Sequence, residues 1–168
     1  MDLLYDFAQP CSIGLICQWL GVPLDRHRDL LEWSHATVKM YELDTTEEQA
    51  IAANAAAAAF RDYVVELIEE RRRSPRSDLV SALVDARVDG ERLSEAEIVS
   101  TVIVLFNAGH EPTVNTLGNG IRALMHPRDE WQRLVDGSVA AAAAIEELIC
   151  YDPRSSFSSA GCSRTVWK

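Results

Sequence analysis

Positive charge is what this sequence is short of. It carries 16 Lys and Arg against 26 Asp and Glu, a formal net charge of −10. Nucleic-acid affinity comes mostly from Lys and Arg neutralising phosphates, so no nucleic-acid partner is expected. Docking through a polybasic patch on an anionic membrane is disfavoured for the same reason. Long apolar runs are also lacking: the most apolar, residues 98–106, is too short to span a bilayer. The N-terminus carries Asp2 and Asp6 where a secretory leader would be basic. Cysteine is sparse. Cys11, Cys17, Cys150 and Cys162 form no Cys-x-x-Cys pair and no zinc spacing, so reduced thiols in a cytoplasmic protein are expected. Strand signals are nearly absent, and no internal repeat is visible.

What the chain does have is helical periodicity, over 168 residues that suffice for one domain with a real core. A helix end is expected at residues 15–21, stopped by Gly21 and Pro23, and a further helix over 25–40. Thr45 with Glu48 fits a capping box that opens an alanine-rich helix. That helix ends at Arg71, Arg72 and Arg73 before Pro75, cations that complement a helix C-terminus. Ser77 is expected to cap a short helix through Ala86, and Asp89-Gly90 to form a turn. Ser94 and Glu97 make a second capping box at the head of a long helix over about 94–125, followed by short helices at 128–135 and 139–151. After Pro153 the texture loses its period, and residues 154–168 are expected to be unstructured. The fold class expected is all-α.

The long helix contains an anomaly, "LFNAGHEPTVN" at residues 105–115. His110-Glu111 invites a zinc-peptidase reading, but the second His would fall where Val114 stands, so the motif fails. Pro112 cannot donate to the carbonyl of Ala108, and its ring crowds that group. An interior Pro costs a helix about 3 kcal/mol relative to Ala and an interior Gly about 1. A tolerated kink accounts for Pro112 alone. It does not account for Gly109, Glu111, Thr113, Asn115 and Thr116 arriving together after the apolar run at 102–106, because polar groups in a dry helix are expensive unless satisfied. A helix opened at this place could seat a small polar ligand or water.

Ala108-Gly109-His110-Glu111-Pro112-Thr113 resembles the Ala/Gly-Gly-x-Glu/Asp-Thr-Thr signature of the cytochrome P-450 haem-thiolate monooxygenases. Three further segments resemble the same family, in the right order. "DFAQPCSIGLICQWLGVP" is similar to a bacterial Phe-Ala-x-Pro…Ile-Cys-x-x-Leu-Gly-Val-Pro segment. "SDLVSALVDARVDGERLSEAEIV" is similar to the stretch leading into the central helix. "AAIEELICYDP" is similar to the Glu-x-x-Arg helix. The resemblance runs over about 1–153, which would then be part of the helical centre of that fold. It implies haem as cofactor, a small organic substrate and a ferredoxin-type redox partner. It also implies that Ala108 and Gly109 form an oxygen-binding notch on the haem face and that Glu111 handles protons. Thr113 is the secondary catalytic candidate, because Pro112 replaces the family's usual Thr.

Two further departures bear on function. Cys150 stands where the Glu-x-x-Arg motif has Arg, leaving Glu147 without that partner, and breaking a buried ion pair from one side costs roughly 3–5 kcal/mol. The family's ligand loop, Phe-x-x-Gly-x-x-x-Cys-x-Gly, is not matched: Cys162 follows Phe157 and Gly161 at the wrong spacing and is not expected to bind iron. The tail leads us to expect a frameshift near Pro153 in place of the haem-binding half, which the nucleotide sequence beyond that codon tests. On this reading the chain is inactive alone. Two readings compete with it: a non-catalytic helical interaction module, and one half of a split enzyme.

Overall fold

The computed structural model describes residues 1–41, 44–88, 90–125 and 128–151. The all-α expectation holds among them. The only strands are β1 (Arg87–Val88) and β2 (Glu91–Arg92), paired antiparallel with Arg87 opposite Arg92 around Gly90, whose φ is +87°. The chain divides into two compact units, one of residues 11–110 and one of 1–10 with the residues from 111 onward.

The first unit holds α1 (Gln9–Leu20) from Cys11 on, α2 (His27–Val38), α3 (Glu47–Arg73), α4 (Leu79–Asp85) and the first half of α5 (Glu95–Met125). Its core forms where the apolar stripes of these helices meet: Ile16 and Leu20 from α1, Phe60 and Ile68 from α3, Val102 and Phe106 from α5. Phe60 and Phe106 meet edge to face at 5.4 Å, and Trp33 of α2 lies 5.7 Å from Phe60. Such aromatic pairs add about 0.5–1.5 kcal/mol beyond their area.

Several boundaries differ from the sequence expectation, each for a local reason. The α3 cap is Thr46, not Thr45. Thr46 has the extended backbone a cap needs, and it exchanges bonds with Gln49, whose amide accepts from the Thr46 N–H at 2.8 Å. Thr45 instead donates its hydroxyl to the Lys39 carbonyl. The α4 cap is Asp78, not Ser77, because the Asp78 carboxylate accepts the Ser81 N–H at 2.8 Å. The segment over 25–40 is α2 flanked by single 3-10 turns, Leu24–Arg26 and Lys39–Tyr41. The Ser94–Glu97 box is as expected, with the Ser94 N–H donating to Glu97 Oε2 at 2.7 Å.

In the second unit a π-helical turn (Leu4–Ala8) accompanies the second half of α5, α6 (Arg128–Val135) and α7 (Ala141–Tyr151). The last begins two residues later than expected, after a turn through Gly137 at φ +75°. Gly120 lets α7 approach α5 closely, since a Cβ there would stand 3.0 Å from Leu148 Cδ1. The expected tail at 154–168, Pro127, Asp89, Pro153 and Cys162 lie outside the described residues.

Candidate functional site

Helix α5 runs through Pro112 without a break from Glu95 to Met125. Its turns are stabilised from outside. Ser12 of α1, 2 % exposed, donates its hydroxyl towards the carbonyls of Gly109 at 3.2 Å and His110 at 3.1 Å. Sequence reasoning located the disturbed helix turn but not this donor, because nothing local pairs residue 12 with residues 109 and 110.

Gly109 has a definite neighbour. A Cβ built on it would stand 2.9 Å from Ile16 Cδ1 and 3.2 Å from its Cγ1. The absent side chain therefore makes room for α1. We expect Gly109→Ala to be non-additive with Ile16→Val, which removes the clashing methyl. Denaturation of the two single variants and the double should give a coupling of about 0.5–3 kcal/mol, with the double milder than the sum. Strict additivity would contradict the close approach.

Around the part of the helix within residues 11–110, Val104 (63 % exposed) and Ala108 form a short open stripe; farther along, Glu111, Pro112 and Thr113 are half-buried. The stripe follows from the period of the helix, in which residues four apart stand one above the other. His110 faces the other way. It is 1 % exposed, 6.3 Å from Phe106 and 6.0 Å from His35 of α2 between ring centres. Burial, and then the charge of His35, lower its pKa from 6.5 to about 4. It is a neutral core side chain, and no group of three or more His, Cys, Asp or Glu among the described residues is placed to hold a metal.

The arginine run divides into different tasks. Arg73 donates to the Glu69 carbonyl near the end of α3, as expected of a cation there, and Arg72 pairs with Glu69. Arg71 departs from that reading. Its side chain is wholly buried, its Nε donates to Asp78 Oδ2 at 2.6 Å, and its Nη2 donates to the Gly21 carbonyl at 2.6 Å. Its Nη1 lies 2.9 Å from Glu70 Oε1, an ion-pair distance without hydrogen-bond alignment. Burial alone would raise the Asp78 pKa. The Ser81 N–H, the Arg71 guanidinium and the Ser81 side chain outweigh it, and the carboxyl titrates below its usual value.

Among the thiols, Cys11 is exposed and free, while Cys17 is free and buried, its pKa pushed up to about 12 by burial. Cys150, expected as a reduced thiol, is disulfide-bonded. Glu147, one turn before it on α7, is 7 % exposed. No helix among the described residues is long and apolar enough to cross a membrane.

A family model described as cytochrome P450 matches residues 32–142. The polyketide biosynthesis cytochrome P-450 PksS of Bacillus subtilis is 37% identical over 150 residues, covering 89% of this chain and 36% of that protein. The vitamin D(3) 25-hydroxylase of Pseudonocardia autotrophica is 33% identical over 153 residues, covering 90% and 36%. Among solved structures, PksS superposes with a TM-score of 0.80 at 36% identity, covering 90% of this chain and 38% of that one. The cytochrome P-450 BioI, in complex with an acyl carrier protein ligated with hexadec-9Z-enoic acid, superposes with a TM-score of 0.82 at 31% identity, covering 90% and 39%. The chain thus spans a little over a third of the length of the curated relatives it matches.

Proposed function

Since the chain belongs to the cytochrome P-450 family, we propose that it supplies the oxygen-side helix of a haem-dependent monooxygenase acting on a small organic substrate. The family binds haem, which when bound activates dioxygen and carries the oxidation. The observation that carries the reading is the open stripe of α5 at Val104 and Ala108, on the same helix as the Ala-Gly-x-Glu match. Ala108 is exposed and small enough to face a flat ring closely. Gly109 contributes its backbone, held in place by Ser12. Glu111 is the carboxyl group of that match, the residue proposed to pass protons, and Thr113 is the next hydroxyl along the chain.

The described residues do not fit the other side of a haem. A sulfur that holds the iron would have to be a thiolate. Burial keeps Cys17 protonated, the sulfur of Cys150 is bonded, and Cys11 sits exposed on α1 without the glycine-bounded loop of the family's ligand. The thiolate therefore belongs, on this proposal, to polypeptide other than the described residues, and we derive no reaction step through the iron. A ferredoxin-type electron donor and a cytoplasmic setting complete the reading by family.

Titration with haem tests it, with the purified chain alone and together with a polypeptide carrying the Phe-x-x-Gly-x-x-x-Cys-x-Gly segment. A sulfur-ligated spectrum in the mixture only is the expected result. No uptake in either sample favours the non-catalytic helical module, for which the packed core of residues 11–110 speaks.

A further inference from the structure

Helix α1 differs from every other described helix: its twelve residues include no Asp, Glu, Lys or Arg, in a chain that is 25% charged. Its inner face explains only part of this. Ser12, Ile13, Ile16, Cys17 and Leu20 are buried. Cys11, Leu15, Gln18 and Trp19 lie outward, three or four residues apart and so on one face. Leu15 is 62 % exposed and Trp19 67 %. A helix face turned to water is ordinarily polar or charged. Beside this one lies a groove of about 830 Å³, lined by Leu15, Gln18 and Trp19 on α1 and by Pro75, Leu79 and Ala82 at α4. The charged groups on its wall are already engaged. Arg76 pairs with Glu70, Asp78 with Arg71, and Asp85 lies 3.9 Å from Arg92. An uncharged face with an exposed Trp is composed like the centre of a protein interface, where charge is depleted and aromatics are enriched.

We propose that this face of α1, with the groove beside it, is the docking surface for the polypeptide that carries the haem thiolate, and that an apolar segment of that polypeptide covers Leu15 and Trp19. The choice of occupant rests on the haem-site reading above. Length argues for it. The match to PksS takes in 89% of this chain but 36% of PksS, so most of that relative lies outside the matched stretch. The α1 segment is among those that resemble the family, and in a relative of that length there is ample further polypeptide to cover a face that this chain leaves in water. Charge argues against the other ready occupant, a second copy. Each copy carries a formal net charge of −10, and two copies repel one another. The face itself is neutral. The segment that covers it has to be apolar there, because a charge set against Leu15 and Trp19 would lose its water without gaining a partner.

Cys11 reports on the face, since it is exposed and free while Cys17 is buried. The whole chain is mixed, with haem present, with the part of PksS that follows the matched stretch, and alkylation of Cys11 by iodoacetamide is followed by peptide mass spectrometry. Alkylation should slow by about tenfold or more in the mixture. Trp19→Ser should raise the PksS concentration needed by about tenfold or more, as expected when a central interface aromatic is truncated. Trp19 is exposed, so this variant should keep the urea midpoint of the natural chain; if it does not, protection of Cys11 in the natural chain decides alone. Protection without a sulfur-ligated spectrum would uphold the face and sink the haem reading. A sulfur-ligated spectrum with Cys11 as reactive as in the chain alone would do the reverse. Neither change would overturn both. A chain that dimerises by itself, and loses the dimer in Trp19→Ser, would make the occupant a second copy and overturn the proposal.

Discussion

Arg71→Met is expected to destabilise the unit of residues 11–110 by about 3–5 kcal/mol, the usual result of removing one partner from a buried charge pair. Methionine replaces most of the side-chain volume, so the loss comes chiefly from what stays behind. The Asp78 carboxylate loses its guanidinium while 5 % exposed, and the Gly21 carbonyl loses its donor. A second substitution separates charge from packing. Asp78→Asn keeps an N-cap for α4, since Asn caps a helix about as well as Asp, and removes the unpaired charge. The double variant should therefore recover most of the loss, seen as a shift in urea midpoint at unchanged slope. The sign with pH follows from Asp78. A carboxyl with depressed pKa contributes stability above its unfolded value, about 3.9, and loses it as pH falls through the folded one. The gap between natural chain and Arg71→Met should thus be widest near neutrality and close in acid.

Gly21→Ala should be nearly as damaging, at about 2–5 kcal/mol, by adding a left-handed backbone penalty of about 1–2 to an overpacking cost of about 1–3. Gly21 sits at φ +81°, and a Cβ there would fall on the Asp78 carboxylate. That carboxylate cannot move aside, because Arg71 and the Ser81 N–H hold it. Thermal unfolding of Gly21→Ala checks this. A melting temperature unchanged from the natural chain would show that the turn is looser than its geometry implies. Both variants reach the candidate site indirectly. The turn at Gly21 closes α1, and α1 carries Ser12 and Ile16, the two residues that brace the Gly109 turn of α5.

That route was invisible in the sequence, for a physical reason. Helix α5 could be read to its last residue because its signals are local: a Ser94–Glu97 box at one end and Pro127 just past the other. The residues proposed as its site were equally legible as an anomaly, since a Gly and a Pro stand out in an apolar helix. The braces were not. Arg71 looks like any cation at a helix end, and only the fold brings it to the Gly21 carbonyl and Asp78. His110 looks like half of a metal motif, yet the fold buries it between Phe106 and His35. The caps went wrong by one residue at Thr46 and Asp78, because adjacent Thr45 and Ser77 carry hydroxyls equally able to accept. Thr46 and Asp78, both extended, are the residues whose side chains accept the N–H groups of Gln49 and Ser81.

The central claim is that these helices form the oxygen side of a haem site and hold no iron ligand of their own. It is tested most directly by adding haem to the purified chain, reducing it under carbon monoxide and recording the absorption spectrum. The account predicts no band of the kind given by sulfur-bound iron. The appearance of that band in the chain alone would contradict it, and replacing Cys11, Cys17, Cys150 and Cys162 in turn would then show which sulfur had been misjudged.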